Sequence, residues 1–106
     1  MSGDILKLVE QDGGRKVPVQ PGQVVEIALP ENPTTGWRWT LPDAPGLELV
    51  DDTYAVPDQL VPGAATMRIL RFRVLGGQIE VIMRRTQSWE PGSVPDALFE
   101  ITLVPQ

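Results

Sequence analysis

The sequence predicts an all-β fold, an immunoglobulin-like antiparallel β-sandwich of about seven or eight strands, and three observations carry that expectation. Apolar residues recur on period two along most of the chain, the spacing that gives a strand one buried and one solvated face. The 10 Gly and 11 Pro are concentrated between these runs, where they end one strand and turn the chain into the next. Nowhere does the i, i+3, i+4 spacing of an amphipathic helix persist.

The elements follow in order. Residues 5–10 open the domain, Gly13-Gly14 turns the chain, and residues 16–19 form a short run before a second turn at Pro21-Gly22. Residues 23–29 place Val25, Ile27 and Leu29 on one face and Val24, Glu26 and Ala28 on the other. Beyond the segment 31–36, Trp37, Trp39 and Leu41 share a face while Arg38 and Thr40 point away, and Trp39 is expected in the core. Residues 42–46 turn. Residues 47–56 read as a strand interrupted by Asp51-Asp52, an acidic pair expected on solvated surface. Residues 66–74 set Leu70, Phe72 and Val74 against Ile69, Arg71 and Arg73, and Gly76-Gly77 turns tightly into residues 78–84, where Ile79, Val81 and Met83 face inward. The last strand, 97–104, buries Phe99, Ile101 and Leu103.

Length and composition bound the function. A chain of 106 residues, 42% hydrophobic, supports one core, so residues 1–106 are expected to form a single domain. A net charge of −5 disfavours nucleic acid as a partner, because phosphate contacts need clustered Lys and Arg. The absence of Cys removes disulfides and thiol chemistry, and the absence of His removes the commonest general base and metal ligand. No metal or cofactor is expected. No run approaches the roughly 20 apolar residues of a membrane-spanning helix, so no membrane partner is expected. Met1-Ser2-Gly3-Asp4 does not read as a signal peptide, which leaves location open: periplasmic or secreted if a leader has been removed, otherwise cytoplasmic. Nothing demands more than a monomer.

Strands that run up and down between the ends of a sandwich send alternate connections to the same end. The connections 30–36, 57–65 and 85–96 should therefore emerge together, and they are long and rich in Pro and Gly, whereas the other end carries the short turns 44–46 and Gly76-Gly77. One elaborated end is how a loop-presenting scaffold is built.

Within the first of these loops, Glu31-Asn32-Pro33-Thr34-Thr35-Gly36-Trp37 stands out. Pro33 fixes its own φ and pushes Asn32 toward an extended conformation, and Gly36 has access to the positive φ that a sharp exit requires. A loop stiffened in this way loses little entropy on docking.

The string Asn32, Pro33, Thr34, Thr35, Gly36 and an aromatic residue resembles the signature loop of the chagasin family of cysteine-peptidase inhibitors, with Trp37 in place of the usual Tyr or Phe. The resemblance implies an immunoglobulin-like fold in which three loops at one end enter the active-site cleft of a papain-like cysteine peptidase of cathepsin L type. The family's Gly-x-Gly-Gly stretch is echoed by Gly63, Ala64, Ala65 and Thr66, where alanine keeps the small size but not the freedom at positive φ. Its Arg-Pro-Trp element is replaced by a longer segment in which Arg85 and Trp89 are the equivalents. The resemblance thus implies Asn32 to Trp37, Gly63, Ala64, Ala65, Arg85 and Trp89 as the peptidase-binding residues. Trp37 either supports the loop or touches the peptidase, and Trp89 is either an aromatic anchor or packing beneath its loop.

Such a wedge inhibits without chemistry of its own. It fills a cleft built for extended chain and presents no scissile carbonyl over the catalytic sulfur. Catalysis by carboxylates, with Asp51, Asp52 or Glu90 as candidates, is the weaker reading, because Asp51 and Asp52 are adjacent on a strand and point to opposite faces. The alternative is a non-inhibitory immunoglobulin-like binding or adhesion module, since this fold hosts many functions.

Overall fold

A computed structural model describes residues 5–31, 36–55, 66–87 and 94–106. Its strands are β1 (Leu6–Val9), β2 (Lys16–Val19), β3 (Val24–Pro30), β4 (Trp37–Trp39), β5 (Leu47–Ala55), β6 (Met67–Val74), β7 (Ile79–Gln87) and β8 (Ala97–Pro105). One sheet has the order β1-β3-β6-β5 and the other β2-β8-β7-β4, which makes a sandwich of two four-stranded sheets. Between β1 and β2 the chain changes sheet through a single 3-10 turn, Glu10–Asp12, whose Asp12 carboxylate accepts the Val9 N–H at 2.8 Å and pairs with Arg15. Each of these first two strands joins its sheet by parallel pairing, β1 with β3 and β2 with β8.

Period-two patterning becomes the core as expected. Val25, Ile27 and Leu29 of β3 and Leu70, Phe72 and Val74 of β6 interdigitate with Ile79, Val81 and Met83 of β7 and Phe99, Ile101 and Leu103 of β8. All are at most 3% exposed, so no core position on these four strands is shared with solvent. Each such side chain contributes about 1.5–3 kcal/mol of transfer free energy. On the outer face of the first sheet Glu26 lies opposite Arg71 and Glu48 opposite Arg73, and both pairs close ion pairs at 2.9 Å.

Trp39 is buried in the core, as its position predicts. Leu41 is not: β4 ends at Trp39 and Leu41 is 48% exposed. Thr40 explains the ending. Its N–H donates to the Arg84 carbonyl at 2.8 Å, but its Oγ1 accepts the Arg84 N–H at 3.1 Å, so a side chain takes the donor that a continuing ladder would have used. Pro42 then disfavours any regular extension. The expected interruption of the strand at Asp51-Asp52 is a β-bulge between Leu49 and Asp51, across which β5 continues to Ala55.

Register fixes which connections share an end. Pro30 is opposite Met67, and Met67 is opposite Ala55. In the other sheet Trp37 is opposite Gln87, and Arg85 is opposite both Trp39 and Ala97. The strand ends that carry the connections β3–β4, β5–β6 and β7–β8 therefore lie at one end of the sandwich. The connections β2–β3, β4–β5 and β6–β7 lie at the other, where Gly22 donates to the Val74 carbonyl and Leu75 to the Gly46 carbonyl.

Candidate functional site: the loop-bearing end

The inward-facing rows of the strands change character as they approach the loop-bearing end. In β3 the row Val25, Ile27, Leu29 continues in phase to Glu31; in β6 the row Val74, Phe72, Leu70 continues to Arg68; in β7 the row Ile79, Val81, Met83 continues to Arg85. The apolar core is thus closed at this end by a layer of charged side chains. A charge placed there must be paired and hydrogen-bonded to be tolerated.

Glu31 is the centre of that layer, and its side chain is fully buried. Its Oε1 accepts the Trp39 N–H at 2.6 Å and Arg68 Nη1 at 3.1 Å, and its Oε2 accepts the Tyr54 hydroxyl. Its own N–H donates to the Thr66 carbonyl at 3.0 Å. Arg68 spends its remaining donors on the same neighbourhood: Nη1 also reaches the Trp39 carbonyl at 2.7 Å, and Nε and Nη2 grip Asp52 in a bidentate pair at 3.0 and 2.8 Å. Asp52 is exposed, as expected of the acidic pair, and it also partners Arg68, because the bulge after Leu49 brings it into register with Leu70 beside the half-buried guanidinium. Among the described residues, no buried side-chain nitrogen or oxygen lacks a hydrogen-bond partner.

The titrations follow from this geometry. Hydrogen bonding to Arg68 holds the Asp52 carboxyl below its ordinary value, against the opposing effect of burial. Burial, reinforced by the hydrogen bond to Glu31, pushes the Tyr54 hydroxyl up, and the Asp52 hydrogen bond raises Arg68 further still.

A second grip joins the third loop to the first. Arg85 Nε and Nη2 meet Asp96 at 2.8 and 3.0 Å across the β7–β8 connection, and the Asp96 N–H returns to the Arg85 carbonyl at 3.0 Å. Arg85 Nη1 donates to the Pro30 carbonyl at 3.3 Å, an oxygen that also accepts Trp39 Nε1 at 2.9 Å. The hydrogen bond to Asp96 raises the Arg85 pKa.

Of the residues expected to bind a partner, Gly36, Trp37 and Arg85 are described. Gly36 is buried with φ at 79°, the positive value anticipated for the loop exit. Trp37 opens β4, half-buried and opposite Gln87. Arg85 commits its guanidinium to Asp96 and Pro30. Asn32, Pro33, Thr34, Thr35, Gly63, Ala64, Ala65 and Trp89 lie outside the described residues. Sequence reasoning placed Glu31 and Asp96 in the connections at this end but gave no role to them or to Tyr54, Asp52 and Arg68. A signal for two of them was present: Glu31 and Arg68 continue the inward phase of their strands, and a charge at an inward position demands a partner. Among the described residues no cluster of three or more Asp, Glu, His or Cys side chains could hold a metal ion, and no helix is long and apolar enough to cross a membrane.

Residues 18–103 match the sequence pattern of the family described as Chagasin family peptidase inhibitor I42. No curated protein sequence matches the chain. Among solved structures, the fold is similar to that of a cysteine protease inhibitor from Entamoeba histolytica, with a TM-score of 0.81 and 21% identity over 96% of this chain and 95% of that one. It is also similar to amebosin, with a TM-score of 0.73 and 19% identity over 98% and 100%. A third likeness is to an inhibitor solved in complex with falcipain-2, with a TM-score of 0.58 and 18% identity over 98% and 100%.

Proposed function

Because this chain belongs to the chagasin family of peptidase inhibitors, and is thus an inhibitor rather than an enzyme, we propose that it reversibly inhibits papain-like cysteine peptidases of cathepsin L type, acting as a monomeric single domain over residues 1–106. The structural relative bound to falcipain-2 supports that class of target. In this reading the three loops at one end of the sandwich enter the active-site cleft. Asn32, Pro33, Thr34, Thr35, Gly36 and Trp37 form the central contact, Gly63, Ala64 and Ala65 a flanking one, and Arg85 and Trp89 the third. Thr34 and Thr35 offer hydroxyls to polar groups at the catalytic dyad and methyls to the cleft walls. No carbonyl is delivered to the thiolate in an attackable geometry, so the complex forms and dissociates without cleavage.

The observation that carries the proposal is the convergence of six strand ends on one end of the sandwich, with Gly36 at a positive φ where the central loop rejoins β4. Its test is titration of papain and a cathepsin L-type enzyme with the purified protein, using a fluorogenic peptide substrate, beside a Thr34→Ala, Thr35→Ala double variant. Tight inhibition by the parent that the variant loses is the expected result. Equal inhibition by both, or none by a folded parent at micromolar concentration, overturns it.

A further inference from the structure

We propose that Glu31 is a positioning residue whose buried carboxylate ties together the bases of the first two inhibitory loops and steadies the adjoining Pro30 carbonyl that holds the third, so that the loops meet a peptidase already set in their mutual arrangement. The inference rests on the inhibitor reading for its consequence and on the geometry of Glu31 for its substance.

Each loop base is held by a bond that leads back to the Pro30-Glu31 peptide. At the first loop, the Glu31 carboxylate takes the Trp39 N–H, fixing the position of β4 relative to where β3 ends. At the second, Tyr54 lies one residue from the end of β5 and donates to Glu31 Oε2, while Thr66, just before β6, accepts the Glu31 N–H. Arg68 fastens this pair of strands by bridging Glu31, the Trp39 carbonyl and Asp52. At the third, Arg85 holds Asp96 across the loop and the Pro30 carbonyl across the sandwich.

The interior alone does not do this. The sheets are joined at this end by polar contacts, which have direction, where an apolar layer would tolerate sliding. A fully satisfied buried network fixes one arrangement at a cost in desolvation that apolar packing would avoid. Its placement beneath the loops, in phase with an otherwise apolar core, is explained if the arrangement of the loops is what it secures.

Loosening such a device should act before binding and not after it. If only a fraction of free molecules has its loops in the competent arrangement, association slows by that fraction while the complex, once formed, keeps its contacts. Lost contact with the peptidase would instead speed dissociation.

The experiment uses Glu31→Gln, which keeps the shape and one acceptor oxygen but removes the charge that Arg68 and Tyr54 address. Val74→Ala, a truncation of a fully buried side chain at the opposite end, serves as the control for general destabilisation. Association and dissociation with papain are measured by stopped-flow and by displacement, and amide hydrogen exchange is followed in the free proteins. The expected result for Glu31→Gln is an about tenfold fall in association rate, as for a competent fraction of about one in ten. Dissociation should be unchanged, with faster exchange at the amides of Trp39, residue 31 and Asp96. Val74→Ala should lose stability and associate as the parent does.

Unchanged association, a change confined to dissociation, or equal slowing in Val74→Ala overturns the proposal, as does faster exchange at Trp39 alone. If the parent does not inhibit papain, the inhibitor reading fails at that enzyme, and exchange at the three amides still decides whether Glu31 couples the loop bases. Should Glu31→Gln fail to fold, Tyr54→Phe removes one bond to the same carboxylate and is read in the same two ways.

Discussion

Arg85 sets its guanidinium 5.7 Å from the centre of the Trp39 indole, and the two side chains converge on one acceptor, the Pro30 carbonyl. Two neighbouring strands of one sheet thus hold a backbone oxygen that belongs to the other sheet. The cation over the ring, the bidentate pair with Asp96 and the bond to Pro30 give Arg85 three tasks that a lysine cannot perform together, since an ammonium has no planar fork.

Arg85→Lys is therefore expected to destabilise the protein by about 1 kcal/mol, the scale of a partly exposed ion pair with good geometry. Urea unfolding measures it. In a double-mutant cycle with Asp96→Asn, the coupling should fall between about 0.5 and 1 kcal/mol. A coupling of zero would show that the fork contributes nothing to stability.

Asp52 gives the acid side of the stability profile a definite sign. Its folded-state pKa is depressed by Arg68 below the ordinary value of about 3.9. The unfolded chain therefore takes up a proton before the folded one does. The stability contributed by the Asp52–Arg68 pair is fully present above about pH 4 and is lost as pH falls through the lower, folded value. Thermal unfolding of the parent and of Asp52→Asn between pH 6 and pH 2 should show a gap that closes on acidification. A gap that stays constant would mean that the pair does not titrate as the geometry requires.

Much of this fold was legible because β-structure writes its buried face in period two. Val25, Ile27 and Leu29, or Ile79, Val81 and Met83, need only alternation to be placed, and all lie in the core. The loop-bearing end was legible from topology, since connection lengths and register agree. The polar layer was not, although its phase was visible, because period-two reasoning assigns charged residues to solvent by type before asking which face they occupy. Glu31 and Arg68 sit in the inward rows, and their pairing across 37 positions of sequence, with the bonds from Trp39 and Tyr54 and to Asp52, makes that tolerable. Such a contact is set by sheet register, which local patterning does not specify. The place of Asp52 was hidden for a related reason: the bulge after Leu49 shifts the register of β5, and a one-residue shift exchanges its faces.

Gly36→Ala tests the exit of the central loop. With φ at 79°, a Cβ at this position costs about 1–2 kcal/mol in the left-handed region. The chain can relieve that strain only by redirecting the backbone that enters Trp37. The variant should lose stability by this amount in urea unfolding and lose inhibition of papain as well, since the redirected segment carries Thr34 and Thr35. Full inhibition with reduced stability would detach the geometry of Gly36 from function.

Gly46→Ala provides the matching change at the economical end. A Cβ on Gly46 would stand 2.7 Å from the Gly76 carbonyl oxygen and 2.8 Å from Ile79 Cγ1, and the first of these is backbone that cannot swing aside. The turn also carries the bond from the Leu75 N–H to the Gly46 carbonyl at 2.8 Å, so relief of the clash would strain the connection between β6 and β7. Overpacking of this kind costs about 1–3 kcal/mol, comparable to the expected loss in Gly36→Ala. The two glycine variants should then be similarly destabilised and yet differ in function, because the strand ends around Gly46 point away from the loops. Gly46→Ala is expected to inhibit papain as the parent does at temperatures where it remains folded. If it instead loses inhibition in step with Gly36→Ala, stability alone governs activity, and the division of the sandwich into a binding end and a supporting end does not hold.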